Sequence, residues 1–200
     1  MGRGEVRHRW FSMFYNRVAE PSNRRRLEPV YRELLSALSG DVIEIGAGGG
    51  ATFAHYPEGA RVTAFEPDPF MLEAARQKAR PNIDLRQASG EQIPVGDATF
   101  DAAVTSLVLC TVTGVSQTLG EIRRALRPGG SYVFIEHVRP SGVFGTFTDI
   151  TQPVYGWFAG GCHWNRDTER SLKEAGFVFE HIRRKSLSGI PLIYGVARIP

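Results

Sequence analysis

The sequence has few of the features that mark specialised protein classes. Two cysteines, Cys110 and Cys162, occur among 200 residues, which excludes a disulfide framework, and no Cys-x-x-Cys pair is present. No apolar run reaches the ~18 residues that a membrane-spanning helix needs. The basic N-terminus lacks the apolar segment of a secretory signal. From these absences we expect a soluble protein of the cytoplasm.

Neither sign of charge predominates. Lys and Arg together number 24 and Asp and Glu 21, so the net charge of +3 is too small to favour a nucleic-acid partner. Basic runs at residues 24–26 and 183–185 are typical of solvated faces, although an anionic substrate or a membrane surface would also attract them. The length and the 42% of hydrophobic residues suit one globular domain over residues 1–200.

In the middle of the chain, short apolar runs typical of buried strands alternate with segments typical of helices. The predicted strands are residues 41–45, 61–65, 83–87, 100–107 and 131–138. Helices are predicted at residues 69–78, 115–126 and 166–175. Such alternation favours parallel strands with right-handed crossovers. Two further strands, residues 177–184 and 192–199, are joined directly and predict an antiparallel hairpin at the end of the sheet. The expected fold is a doubly wound, mostly parallel seven-stranded α/β sheet.

Three flanking segments complete the prediction. An apolar stripe over residues 10–18 predicts a helix ended by Pro21. A second helix begins at a cap formed by Ser22 or Asn23 and is closed by Gly40. Residues 139–165, rich in glycine and aromatics, are expected to be irregular and to form a lid over the site. A packing flap, a dimer contact and a membrane contact are the alternatives for this segment.

A glycine-rich loop, Glu44-Ile-Gly46-Ala-Gly48-Gly-Gly-Ala51, follows the first strand. Glycines let a backbone turn tightly and approach a ligand, and a helix N-terminus offers free N–H groups. The same spacing satisfies the dinucleotide fingerprint, so the loop alone does not separate NAD from S-adenosylmethionine.

Features outside the glycines favour S-adenosylmethionine. Glu44 precedes the first glycine, where a carboxylate suits a methionine ammonium and would repel a pyrophosphate. Glu66 ends the second strand, where its carboxylate can accept both ribose hydroxyls of either cofactor. Only one nucleotide-binding half is visible in the sequence.

Four motifs together resemble the class I S-adenosylmethionine-dependent methyltransferases: residues 44–50, Phe65-Glu-Pro-Asp68, Phe100-Asp101 and Leu126-Arg-Pro-Gly-Gly130. The resemblance implies S-adenosylmethionine as cofactor, S-adenosylhomocysteine as product, and an aromatic N-terminal helix that covers the cofactor. The implied cofactor-binding residues are Phe11, Tyr15, Glu44, Gly46, Ala47, Gly48, Glu66, Pro67, Ser89, Gly90, Glu91, Ser106 and Leu107. Many relatives hold the adenine amino group with an aspartate; here Ser89 would accept that bond and Gly90 would donate from its backbone.

More of the chain is similar to the thiol S-methyltransferases of animals. The matching segments are residues 14–16, 46–50, 55–57, 107–110, 135–138 and 191–195. The hydrophobic N-terminal anchor of the animal proteins is absent from this sequence, and bacterial relatives methylate reduced dithiol natural products. The resemblance therefore implies S-methylation of a small thiol or dithiol. Quinol C-methylation, phospholipid N-methylation and cofactor binding without turnover are the alternatives.

Candidate acceptor-site residues follow the fourth and fifth strands. His137 ends the fifth strand, where ligands collect in open α/β sheets, and is predicted to be the base or thiolate stabiliser. A structural histidine bonded to a loop is the alternative. The predicted substrate contacts are Cys110, Asp149, Trp157 and His163. No metal is expected, since Cys162 and His163 have no further ligands spaced to join them.

Overall fold

The computed structural model describes residues 20–158 and 162–200, without the side chains of residues 153–158. The helix predicted at residues 10–18 lies outside the described residues, as do Phe11 and Tyr15.

A seven-stranded sheet forms the centre of the described structure. Its strands are β1 (Gly40–Ile45), β2 (Ala60–Phe65), β3 (Ile83–Arg86), β4 (Phe100–Ser106), β5 (Leu126–His137), β6 (Val178–Leu187) and β7 (Ile190–Arg198). Their order across the sheet is β3-β2-β1-β4-β5-β7-β6. The first five strands pair in parallel, whereas β7 pairs antiparallel with both β5 and β6. The predicted sheet and its terminal hairpin are thus confirmed.

Helices cover both faces of this sheet. They are α1 (Glu20–Leu35), α2 (Pro69–Arg76), α3 (Val115–Ala125), α4 (Gly142–Phe158) and α5 (Thr168–Glu174), with a 3₁₀ turn at Phe53–His55. Alternate strand residues point to opposite faces, so the core divides into two apolar layers. Val42 and Val133 pack with Leu27 of α1 in one layer. Ile43 and Phe134 pack with Leu119 of α3 in the other. This is the predicted doubly wound arrangement.

The predicted boundaries of α1 and β5 were wrong. Pro21, expected to end an earlier helix, lies within the first turn of α1. Proline is tolerated there because the N–H groups of the first turn have no partner within the helix. The helix also ends at Leu35, before Gly40. Strand β5 begins at Leu126, and it includes the Pro-Gly-Gly segment that was predicted to precede it. A register shift against β4 accommodates those residues.

The segment of residues 139–165 was predicted to be irregular, and this was wrong: most of it is helix α4. Within this helix, Gly145 is required by a close approach of the backbone. A Cβ at Gly145 would lie 2.3 Å from the carbonyl oxygen of Pro140. The helix exposes Val143, Phe144 and Ile150, of which Val143 is 86% exposed. No helix in the described part of the chain combines the length and apolarity needed to cross a bilayer.

Two Gly→Ala substitutions should have opposite effects on stability. A Cβ at Gly195 in β7 would lie 2.1 Å from the backbone oxygen of His181, so Gly195→Ala should lower the free energy of unfolding by about 1–3 kcal/mol. Gly120 is exposed on α3 and a Cβ there meets nothing within 4 Å. Gly120→Ala should stabilise the protein by up to about 1 kcal/mol. Urea denaturation measures both; equal effects would contradict the strand packing described here.

Candidate active site

The glycine loop lies at the edge of the sheet where the parallel strands end. The N–H groups of Gly46 and Ala47 donate to the carbonyl of Phe65 at 2.8 and 2.9 Å, which ties the loop to the end of β2. Gly46 has φ +70°, and a Cβ there would lie 2.5 Å from Val108. Gly48 has φ +55°, and a Cβ there would meet no atom within 4 Å. The first glycine is therefore required by packing, whereas Gly48 faces open space.

This open space is a pocket between the loop, α1 and the end of β4. A hydrogen bond of 3.0 Å between Tyr31 Oη and Ser106 Oγ joins the helix to the strand. Six of the predicted cofactor residues line the pocket: Glu44, Gly46, Ala47, Gly48, Ser106 and Leu107. Glu20, Asn23 and Arg24 of α1 also line it, and none of these was predicted as a cofactor residue. The structure thus brings the central group of predicted residues together.

Glu66 is a buried carboxylate that organises the loop. Its Oε2 accepts from the N–H of Gly48 at 2.8 Å and its Oε1 from the N–H of Asp68 at 2.9 Å. Burial raises the pKa of Glu66, and the two backbone N–H groups offset part of that rise. Each carboxylate oxygen can accept a second hydrogen bond. Glu66 therefore keeps capacity for the ribose hydroxyls predicted for it.

Glu44 lies deeper than the prediction assumed. Only 1% of the residue is exposed, and its two oxygens accept from Thr52 Oγ1 at 2.6 Å and from Tyr56 Oη at 2.9 Å. Burial raises its pKa from 4.5 to about 7, against the effect of these two hydrogen bonds. Its carboxylate therefore holds Thr52 and Tyr56 in place behind the surface of the pocket. Thr52 and Tyr56 were not predicted, since no local pattern marks them as partners of a strand residue.

The residues predicted to hold the adenine lie beyond β3. Gly90 is buried, and a Cβ there would lie 2.8 Å from Ile45, so glycine is required. The carboxylate of Glu91 accepts from the N–H groups of Thr113 and Gly114 at the start of α3. The pKa of Glu91 is lowered, because these bonds and one with Ser89 outweigh the opposing effect of burial. Glu91 therefore fixes a helix start. Pro67 is exposed at the same edge.

The chain after β4 makes a strained turn held by a second buried carboxylate. Leu107 has φ +60°, a conformation that side chains rarely adopt and that recurs at functional sites. Glu136 is fully buried and accepts from the N–H groups of Val108 and Leu109 at 3.2 and 3.0 Å. Burial raises the pKa of Glu136 to about 7. Sequence reasoning missed Glu136, although an acid inside an apolar strand is a visible signal.

Two predicted side chains, Cys110 and His137, meet the unpredicted Cys162 beside this turn. Cys110 Sγ lies 4.0 Å from Nδ1 of His137, and the ligand atoms of Cys110, His137 and Cys162 all lie within 4.8 Å of one another. The interaction between the thiols raises the pKa of Cys110, as does burial, and lowers the pKa of Cys162. The N–H of His163 donates to the carbonyl of Cys110 at 2.6 Å, which brings Cys162 to the group.

The other predicted acceptor residues are placed differently. Asp149 accepts from the guanidinium of Arg139 at 2.6 Å and from Asn165 at 3.2 Å, so its carboxylate is engaged on the surface of α4. The ring of His163 lies 3.2 Å from the amide nitrogen of Gln152. Trp157 lies on α4, and its side chain is outside the described part of the structure.

Comparison with known proteins identifies this arrangement. Residues 43–134 match the family described as "Methyltransferase domain". The thiol S-methyltransferase TMT1B of Homo sapiens is 34% identical over 176 residues, which cover 80% of this chain and 72% of that protein. The thiol S-methyltransferase TMT1A of Homo sapiens is 31% identical over 94% of this chain and 86% of its own length. The chain belongs to the class I S-adenosylmethionine-dependent methyltransferases.

Solved structures agree on the fold of this methyltransferase. An S-adenosylmethionine-dependent methyltransferase from Mesorhizobium loti superposes with a TM-score of 0.64 at 21% identity, covering 86% of this chain and 97% of the other. Family and fold imply S-adenosylmethionine as the cofactor. The residues present fit it, because Gly48 lines the pocket with no atom near the position of a Cβ, and buried Glu66, hydrogen-bonded to Gly48, retains acceptor capacity.

The raised pKa of Glu44 predicts a pH-dependent stability. The folded state binds this proton more tightly than the unfolded chain, so the free energy of unfolding falls as the pH rises from 4.5 to about 7. The shift corresponds to roughly 3 kcal/mol above that window. For the cofactor-free protein, Glu44→Gln should make this fall shallower when it is measured by urea denaturation between pH 4.5 and 7, and Glu136 causes the part that stays. Exposed Glu58→Gln serves as control; equal slopes in both variants would refute the assignment.

A matched glycine pair separates backbone strain from cofactor binding. Gly48 and Gly129 both have positive φ, and a Cβ at either meets nothing within 4 Å, but only Gly48 lines the pocket. Alanine at either position should cost about 1–2 kcal/mol of stability. Only Gly48→Ala should weaken S-adenosylhomocysteine binding in calorimetry, by about tenfold or more, because its methyl group fills the pocket. Equal affinities in the two variants would place the cofactor elsewhere.

Proposed function

We propose that this methyltransferase transfers a methyl group from S-adenosylmethionine to the sulfur of a small thiol or dithiol metabolite in the cytoplasm. The observation that carries the proposal is the position of His137. It is 9% exposed, lies at the end of β5, and its Nε2 has no hydrogen-bond partner among the described residues. Relatives named thiol S-methyltransferases at 31–34% identity support a sulfur acceptor.

In this proposal the cofactor lies in the pocket at the glycine loop. The backbone of Gly46 to Gly48 approaches its methionine part, Glu66 accepts the ribose hydroxyls, and Ser89 and Gly90 contact the adenine. Glu44 interacts with the ammonium group from the pocket wall, where its oxygens retain acceptor capacity. Phe11 and Tyr15 stay predicted as its cover.

The acceptor enters beside Leu107, where the pocket meets the cysteine–histidine group. Cys110 Sγ contacts the carbonyl of Leu107 at 3.5 Å, so the group begins next to a residue that lines the pocket. Bound S-adenosylmethionine supplies a sulfonium-activated methyl group, which a thiolate takes to give a thioether and S-adenosylhomocysteine. The protein then has to orient the acceptor and hold it as the thiolate. A free thiol has a pKa of ~8.5, so His137 needs to stabilise the acceptor thiolate only modestly for it to form at neutral pH.

The test is mass spectrometry of products from matched acceptor pairs. The protein is incubated with S-adenosylmethionine and a panel of thiols, dithiols, quinols and phospholipids, and each thiol is accompanied by its alcohol analogue. We expect a gain of one methyl group on sulfur and none on the alcohols. His137→Ala should lower thiol turnover by about 10²–10⁴-fold with unchanged cofactor affinity.

Either of two results would overturn the proposal. Methylation of quinol carbon or phospholipid nitrogen with unmodified thiols assigns a different acceptor. Tight binding of S-adenosylmethionine with no product from any acceptor indicates a cofactor-binding protein without turnover.

A further inference from the structure

The group formed by Cys110, His137 and Cys162 has the composition of a metal site. Two sulfur atoms and one imidazole nitrogen lie within 4.8 Å of one another, although the residues come from separate parts of the chain. Tetrahedral zinc holds sulfur at about 2.3 Å and nitrogen at about 2.0–2.1 Å, which places ligand atoms roughly 3.5–3.8 Å apart. The three side chains therefore need to close by only roughly 1 Å.

Independent evidence for a ligand comes from the imidazole. His137 is nine-tenths buried, and its Nε2 has no hydrogen-bond partner in the part of the chain that the structure describes. Buried polar atoms are almost always hydrogen-bonded, so an unpartnered one calls for a cause. The polar partners of the ring in the described structure are sulfur atoms, which hydrogen-bond weakly: Nδ1 lies 4.0 Å from the Cys110 sulfur, and the Cys162 thiol also contacts the ring. The ring is free to present a nitrogen lone pair to a metal ion.

The backbone around the three ligands is already fixed. The carbonyl of Cys110 accepts from the N–H of His163 at 2.6 Å, which joins the first cysteine loop to the second. The carbonyl of His137 accepts from Thr168 Oγ1 at 2.9 Å. Glu136 holds the two residues before Cys110 through their N–H groups. A site prepared in this way loses little conformational freedom when an ion binds.

We propose that Cys110, His137 and Cys162 bind one zinc ion and leave its fourth coordination position open for the acceptor sulfur. Thiolate and imidazole ligands favour zinc among the common divalent ions, and three protein ligands with one open position are typical of catalytic zinc. Both cysteines bind as thiolates, and binding releases to solvent the protons that they still carry. The second half of the proposal rests on the proposed function, because an acceptor thiol bound to zinc loses its proton and is held as the thiolate beside Leu107.

The first test measures metal alone, on the full chain in the presence of a non-thiol reductant. Equilibrium dialysis against zinc chloride followed by elemental analysis should give one zinc per chain. Cys110→Ser, Cys162→Ser and His137→Ala should each weaken zinc binding by about tenfold or more. His181→Ala, which removes an exposed histidine outside the group, should leave it unchanged.

Cobalt(II) gives a readout on the wild-type protein that needs no variant. We expect the thiolate charge-transfer absorption and the intense visible bands of a tetrahedral site. A chain that takes up no zinc after full reduction, or a cobalt spectrum without thiolate bands, overturns the site. A Cys110–Cys162 disulfide whose reduction restores no zinc binding overturns it as well.

The open position is tested by adding an acceptor thiol to the cobalt form. A shift of the charge-transfer band supports sulfur coordination, and an unchanged spectrum overturns it. Zinc-free protein that methylates thiols at the full rate contradicts the zinc inference and leaves the proposed function standing. If one zinc binds per chain and no thiol is methylated, the zinc site stands and the proposed function is wrong.

Discussion

The ligand loops of this methyltransferase depend on buried carboxylates at one edge of the sheet. Glycine has no side chain to pack, so a loop rich in glycine has to be held through its backbone. Glu66 accepts from the N–H of Gly48, and Glu136 accepts from the N–H groups of Val108 and Leu109. Glu44 works differently, because it accepts from two side chains, Thr52 and Tyr56. The strands position the acids, and the acids position the loops.

This construction has a cost that falls on the cofactor-free protein. Burial raises the pKa of Glu44 and of Glu136 to about 7. The free energy of unfolding therefore falls as the pH rises from 4.5 to about 7, because the buried acids resist ionisation. The turn at Leu107 adds backbone strain at the same edge. Active sites often concentrate such unfavourable features, because groups poised for a ligand are incompletely satisfied without it. The two apolar layers on either side of the sheet supply the stability that offsets them.

Sequence reasoning succeeded where a property repeats along the chain. Short apolar runs in β1 and β4, which the structure buries almost continuously, and the glycines between strand and helix predicted the sheet and the centre of the cofactor pocket. It failed where a contact joins distant residues. Cys162 was considered with its neighbour His163 alone, and only the folded chain brings it to Cys110 and His137. The glycine content of α4 suggested irregular chain, because a close approach such as that of Gly145 to Pro140 has no local signature.

Helix α4 turns its small and polar residues toward the protein and its large apolar residues outward, the opposite of an ordinary surface helix. Over the residues whose side chains are described, Gly145, Thr148 and Gln152 face the protein, and the large apolar side chains of Phe144 and Ile150 face outward. Burial of such a polar face over residues 142–152 contributes little hydrophobic free energy, so we expect this part of α4 to open more readily than the sheet. Gln152 donates to the carbonyl of Cys162. Sub-global opening of α4, observable as rapid amide hydrogen exchange, would therefore uncover the cysteine–histidine group while the sheet and the cofactor loop stay folded.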